Sequence, residues 1–249
     1  MEDLYLGDAK GPNTIAHDVG IFRTIIHSKN IPATEKSIRR LTDDAKFLMK
    51  AGTGAPSQVM AITMFHVLQD NTITEKPKLE LKAANPNPNI GLSLETLEQL
   101  PYLSAIIKEG IRISSIVISR LPRIAEESLK YQGWDIPPGT PVSMSTYIIL
   151  RDSKIIPEPL AFRPERWTQQ GGESLNRYPM PFSRGSQACL GPSMTYCWCY
   201  LVLGTILRRY ELSLYDTTEK NVEIVRDCFN GQTRPGYNCI QVKVVRELQ

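Results

Sequence analysis

Residues 180–201 read MPFSRGSQACLGPSMTYCWCYL. An aromatic, a glycine, a cysteine and a second glycine fall at Phe182, Gly185, Cys189 and Gly191, the spacing FxxGxxxCxG. A glycine-bearing loop lets backbone amides turn toward a sulfur at the start of the apolar run that follows, which reads as a helix. Those N–H groups and the positive end of a helix both favour an anionic sulfur. Cys189 is therefore a candidate thiolate ligand, and Phe182, Gly185 and Gly191 shape its loop. A lone cysteine before a core helix is usually structural, so the reading turns on the motifs that accompany it.

Upstream, Ile38, Leu41, Ala45 and Leu48 recur at helical spacing, and Val59, Ile62, Phe65 and Leu68 repeat it. Between them lies AGTGAPSQ at 51–58, where Pro56 removes one helical hydrogen bond and crowds the carbonyl of Gly52. The spacing predicts one long helix, starting near Thr34 and opened in the middle. Glu75–Ala84 reads as a charged surface helix, ended by the turn-rich NPNPNIG. Leu94–Ser114 carries one or two further helices, and Ile116 to about Val142 changes to strands and turns. Thr146–Arg151 reads as a short helix, and the proline- and glycine-rich stretch Pro157–Ser186 as irregular. The run MTYCWCYLVLGTILRRY is apolar almost all round, as a fully buried helix is. YELSLY and CIQVKVV read as closing strands. The expected class is mainly α with small β-sheets, in a single portion spanning residues 1–249.

Two further motifs stand between the long helix and the cysteine. Glu109 and Arg112 form ExxR, which places them on one face of a helix. AFRPERW supplies Arg166 in a PER segment. In the order helix–AGTG, ExxR, PER, FxxGxxxCxG, the chain resembles the cytochrome P-450 superfamily. The phrases KEGIRIS, SRLPRIA, WDIPPGTPVSMS, FRPERW and PGYNCIQV are most similar to its fungal secondary-metabolism members. The resemblance covers essentially the whole chain and implies a partial cytochrome P-450 fold: long distal helix, ExxR helix, meander, cysteine loop and following helix.

That resemblance implies haem with an axial thiolate, and Cys189 matches the proximal iron ligand. Such a thiolate donates electron density that promotes O–O cleavage. Glu109, Arg112 and Arg166 match a buried charge triad fixing the meander to the ExxR helix. Arg123, in SRLPR, matches a guanidinium on a haem propionate; an exposed strand arginine is the alternative. Ala51 and Gly52 match the oxygen-binding groove of the distal helix, and Gly52 and Ala55 are the catalytic candidates. There the family places an acid and a hydroxyl that relay protons, whereas this sequence has Gly54 and Ala55, with Thr53 and Ser57 the nearest hydroxyls. In the cysteine loop Gln187 stands where the family has a propionate-pairing arginine.

The implied function is monooxygenation: insertion of one atom of O2 into an apolar small molecule. Electrons come from an NADPH-dependent reductase on another chain, because no flavin or Rossmann fingerprint is present. Family members sit at the endoplasmic reticulum membrane. The N-terminal half of the family, with its membrane anchor and substrate-access lids, is expected to be absent from these residues. Two alternatives stay open: a truncated or degenerate product without activity, and a haem-thiolate binding module that associates with a partner chain through its apolar helix.

Composition excludes other classes. Hydrophobic residues make up 41% and charged residues 22%, ordinary for a globular chain of 249 residues. A formal charge of +3 without a basic, aromatic-interleaved run gives no footprint for nucleic acid. His17, His27 and His66 all precede the five cysteines, so a mixed Cys/His zinc site is not expected. The odd number of cysteines fits a reducing compartment. Met1–Asn13 is too acidic and punctuated for a signal peptide.

Overall fold

The computed structural model describes residues 20–168, Leu175, 181–237 and 239–248. The chain divides into two compact units, Met1–Gly54 and Ala55–Gln249. The reading of Met1–Asn13, and residues 169–174 and 176–180 of the expected irregular stretch, lie outside the described residues.

The first unit holds α1 (Ile21–His27), a 3-10 turn (Ala33–Lys36) and the start of α2 (Ile38–Gln69). The long helix begins at Ile38, four residues after the expected Thr34. Pro32 leads into the 3-10 turn, and the first α-type bond runs from the Leu41 amide to the Ser37 carbonyl at 3.0 Å. Leu41 is fully buried, whereas Ile38, Phe47, Leu48 and Met49 are exposed.

α2 is one helix, as the periodicity predicts, but it continues through Pro56 without the expected opening: residues 51–58 are helical throughout. A proline there costs about 3 kcal/mol, and burial on the far side offsets it. Val59, Ile62, Thr63, Met64, Phe65 and Val67 are all buried, and a fully buried apolar side chain contributes about 1.5–3 kcal/mol.

In the second unit α3 (Asn71–Ala84) follows after a single residue, Asp70. Asp70 caps it, accepting from the Thr72 amide at 2.8 Å and the Thr72 hydroxyl at 2.7 Å. α3 starts earlier than the sequence reading placed it and is not only a surface helix. Ile73, Thr74, Pro77 and Leu81 are buried, so one face belongs to the core. α4 (Leu94–Glu98) and α5 (Pro101–Ser114) complete the predicted pair. Pro101 opens α5 at a position where its missing N–H costs nothing. The next orphan amides, of Tyr102 and Leu103, donate to the Glu80 carboxylate of α3 at 2.8–3.1 Å.

After α5 come β1 (Arg123–Ile124), β2 (Leu129–Tyr131), β3 (Trp134–Ile136), β4 (Pro141–Val142), α6 (Thr146–Ile149) and a 3-10 turn (Pro164–Trp167). Then follow α7 (Pro192–Arg209), β5 (Tyr210–Leu214), β6 (Arg226–Cys228), β7 (Asn230–Gln232) and β8 (Val242–Glu247). The strands form two-stranded antiparallel sheets, β1 with β4, β2 with β3, β5 with β8 and β6 with β7. The class is mostly helical with small sheets, as expected.

The core gathers the second half of α2 with α3, α4, α5 and α7, around Val67, Leu81, Leu103, Ile106, Ile107 and Leu203. Close approach sets two glycines. A Cβ at Gly110 would lie 1.9 Å from the Thr63 hydroxyl, and one at Gly204 would lie 2.9 Å from Leu97. α7 differs from the fully buried helix its composition suggested. Cys199, Tyr200, Leu203, Gly204, Leu207 and Arg208 face inward, while Met194, Trp198, Leu201 and Val202 are exposed. Among the described residues no helix is long and apolar enough to cross a membrane.

Candidate functional site

The cysteine loop is closed by its own backbone. The Cys189 amide donates to the Phe182 carbonyl at 2.8 Å, and the Ala188 amide to the Gly185 carbonyl at 3.0 Å. Between these bonds the chain reverses through left-handed conformations at Ser183 (φ 61°) and Gly185 (φ 80°). Gly185 takes that conformation without the Cβ clash that other residues meet. Phe182 anchors the loop, half-buried against the core with its ring 5.9 Å from that of Tyr196.

Gly191 caps α7, and its N–H donates to the Cys189 sulfur at 3.3 Å. The Thr195 amide and hydroxyl both reach the Gly191 carbonyl at 3.0 Å, which fixes that cap. A Cβ at Gly191 would lie 3.9 Å from the sulfur, an ordinary contact, so crowding inside this chain does not require glycine there. Cys189 is exposed, with Leu190 beside it 95% exposed. An accessible sulfur facing an amide N–H, at the positive end of an 18-residue helix, is the donor set a soft metal centre accepts. Cys199 contrasts with it: burial pushes its thiol up to about 12, so it stays protonated and inert at neutral pH.

The second constellation is centred on a buried ion pair. Glu109 and Arg112, on α5, both have no solvent exposure. The Glu109 carboxylate accepts from Arg112 through two bonds of 2.8 and 2.9 Å, and from Arg166 at 3.0 Å. Two further donors reach it, the Arg163 amide and the Trp167 indole N–H, each at 2.9 Å. Arg112 spends its remaining N–H groups on the carbonyls of Leu150, Pro159 and Ala161. Arg166 also reaches the carbonyls of Pro157 and Glu158. The carboxylate thereby clips the segment 157–167 to α5.

Trp167, the Arg163 amide and the carbonyl partners are not part of the sequence-level triad. Trp167 was within reach, since it directly follows the PER segment. The carbonyl contacts leave no residue-type signal. His66 lies close to this cluster, stacked on Phe162 at 5.0 Å. Burial pushes its imidazole down to about 4; the Glu109 charge opposes that shift and the Arg112 charge reinforces it.

Arg123 lies exposed on β1, with its guanidinium donating to the Pro122 carbonyl at 3.0 Å. Gly52, Gly54 and Ala55 lie on the uninterrupted α2, and a Cβ at Gly54 would meet nothing within 4 Å. Gln187 and Arg184 are exposed in the cysteine loop.

Comparison with known proteins decides what this arrangement belongs to. The profile of the family Cytochrome P450 matches residues 20–234. The chain belongs to the cytochrome P450 family. Cytochrome P450 monooxygenase sdnE of Sordaria araneosa is 39% identical over 238 residues, covering 93% of this chain and 46% of that protein. N-acetyltryptophan 6-hydroxylase ivoC of Emericella nidulans is 42% identical over 214 residues, 84% of this chain and 42% of the relative. Cytochrome P450 monooxygenase TRI4 of Trichoderma arundinaceum is 38% identical over 228 residues, 88% and 44% respectively. The chain thus spans less than half the length of the curated relatives it matches. Within the family, a cysteine loop of this form corresponds to haem-thiolate ligation, and the residues present fit that group.

Proposed function

We propose that this chain is the haem-thiolate portion of a monooxygenase acting on an apolar small molecule in fungal secondary metabolism. The observation that carries the reading is the exposed Cys189 sulfur, facing the Gly191 N–H at the head of α7. Cys189 would hold the iron, and Arg123 is the candidate for a propionate. When bound, the haem supplies activation of O2 for insertion of one oxygen atom into the substrate, with electrons delivered from NADPH by a reductase.

What the chain's own residues contribute follows from their chemistry. The Gly191 amide, at the head of α7, is the backbone donor that faces the sulfur. The Glu109 cluster holds the segment 157–167 to α5. Gly54 and Ala55 carry no proton donor, so proton delivery near Gly52 falls to water or to Thr53 and Ser57.

The test is the carbon-monoxide spectrum of reduced, haem-reconstituted protein. A thiolate-type Soret band that disappears in Cys189→Ser supports the assignment, and one that persists in the variant refutes it. A second reading, a haem-thiolate module completed by a partner chain, is favoured by the exposed Met194, Trp198, Leu201 and Val202 along α7. Contiguous apolar surface of that kind usually marks an interaction site. Concentration-dependent association in analytical ultracentrifugation, abolished by Trp198→Glu, supports that reading.

A further inference from the structure

Far along α7 from Cys189, two clefts meet at Arg208. One, of about 160 Å³, is lined by Lys78, Lys82, Asn85, Pro86, Leu207 and Arg208 among others. The other, of about 60 Å³, is lined by Ile90, Gly204, Thr205, Arg208 and Arg209 among others. Among the described residues no carboxylate lines either cleft. Arg208 is 8% exposed; one terminal nitrogen donates to the carbonyls of Asn85 and Asn87 at the end of α3. Among the described residues its other two nitrogens are buried without a partner, as is Nε of Arg209.

The charge balance is positive. Lys78 is paired with Glu75 at 2.9 Å, but no acidic partner of Lys82 or Arg208 lies among the described residues. The C-terminal ends of α3 and α7 both point here, and each contributes about half a negative charge. Against Lys82 and Arg208, which line the larger cleft, that leaves about one positive charge there. A buried guanidinium without a counter-charge is costly, and an anion settling beside it relieves that cost. At about 30 Å³ per water, the larger cleft has room for a tetrahedral oxyanion with a few waters.

We propose that the larger cleft binds a phosphate-type oxyanion, held directly by Lys82 in the field of the buried Arg208. The site is independent of the cysteine loop and of whether haem is bound. It ties the end of α3 to the end of α7, so occupancy stabilises the second unit.

Calorimetric titration of the whole chain with inorganic phosphate, against chloride at equal ionic strength, tests it. The expected result is saturable binding to phosphate alone. Lys82→Gln should weaken it about tenfold or more, and the melting temperature should rise by about 3–5 °C at ten times Kd. Lys82 is exposed and makes no core contact, so its variant keeps the test readable where Arg208→Gln fails to fold. Vesicles of phosphatidylcholine with and without phosphatidic acid separate the sources. Binding to the acidic vesicles assigns a lipid headgroup, and binding of free phosphate without vesicle binding assigns a soluble ligand. Equal effects of phosphate and chloride, or unchanged binding in Lys82→Gln, overturn the proposal.

Discussion

The two constellations in this chain are built on opposite principles. Around Glu109 a single, fully buried carboxylate receives five hydrogen bonds, from donors on Arg112, Arg163, Arg166 and Trp167. Around Cys189 the sulfur receives one hydrogen bond, from Gly191, and stands exposed. The first is over-determined, so removing one part leaves buried charges stranded. The second is under-determined from within, and its shape comes from a backbone loop whose ligand-facing atom is free to react. The difference separates what holds this fold from what the fold presents.

The largest expected effect is therefore at the buried cluster. Glu109→Ala leaves Arg112 and Arg166 without their counter-ion and should cost about 3–5 kcal/mol, enough to abolish soluble folded protein. Arg166→Ala should fall in the same range. Arg184→Ala, at an exposed position in the cysteine loop, should cost less than about 1 kcal/mol. Yield and melting temperature of the three variants check this. Equal values for Arg166→Ala and Arg184→Ala would mean that the carboxylate is not the clip.

The next effect is a pH dependence at the edge of the same cluster. His66 has a folded pKa of about 4 against about 6.5 when unfolded. The unfolded chain thus binds the proton first. Stability is fully present above about pH 6.5 and is lost as pH falls toward 4, by about 3 kcal/mol in all. Replacing the imidazole in His66→Phe removes the titrating group, and denaturant midpoints from pH 7 to 4 should flatten. An unchanged slope would assign the acid loss to carboxylates such as Asp70, which the Thr72 hydroxyl and amide hold below the usual range.

How much of this was legible in the sequence follows the same division. Helices with a clear apolar stripe were readable, as Val59, Ile62 and Phe65 illustrate. Polar spacing alone could suggest Glu109 beside Arg112, because i and i+3 share a helix face. Other features depend on distant parts of the chain. The inward face of α3 exists because Ile73, Pro77 and Leu81 meet the core, and the charges between them concealed it. α7 looked buried all round because its composition is apolar, while its neighbours cover only one side. The cap that Glu80 gives α5 links residues 22 positions apart and leaves no local pattern. The short strands β6 and β7 were missed as well. Their pairing rests on Gly231, where a Cβ would come within 2.6 Å of Ile224.

A smaller effect tests the loop's backbone. Gly185→Ala places a side chain at φ 80° and should cost about 1–2 kcal/mol through local strain. A Cβ there meets nothing within 4 Å, so packing adds nothing to that cost. Because the loop lies at the surface, the melting temperature should fall by only a few degrees while haem retention after reconstitution falls more. Identical retention by Gly185→Ala and the native chain would show that loop shape does not control ligation.

The smallest expected effect on stability, and the sharpest test of the comparison, is Cys189→Ser. The sulfur makes one hydrogen bond, from the Gly191 amide. A serine oxygen is shorter-reaching but still accepts from an amide, and neither side chain fills a core cavity at an exposed position. Surface substitutions away from caps and cores usually stay within about 0.5 kcal/mol. The apo variant should therefore melt with the apo native chain while losing thiolate ligation, so folding and chemistry separate at a single atom. Cys199→Ser supplies the converse. It puts a hydroxyl into a buried apolar setting, which costs about 1–3 kcal/mol, and it leaves the thiolate signature of any reconstituted fraction intact. Apo Cys189→Ser melting several degrees below the native chain would place the sulfur among the groups that hold the fold, and the contrast with Glu109 would then fail.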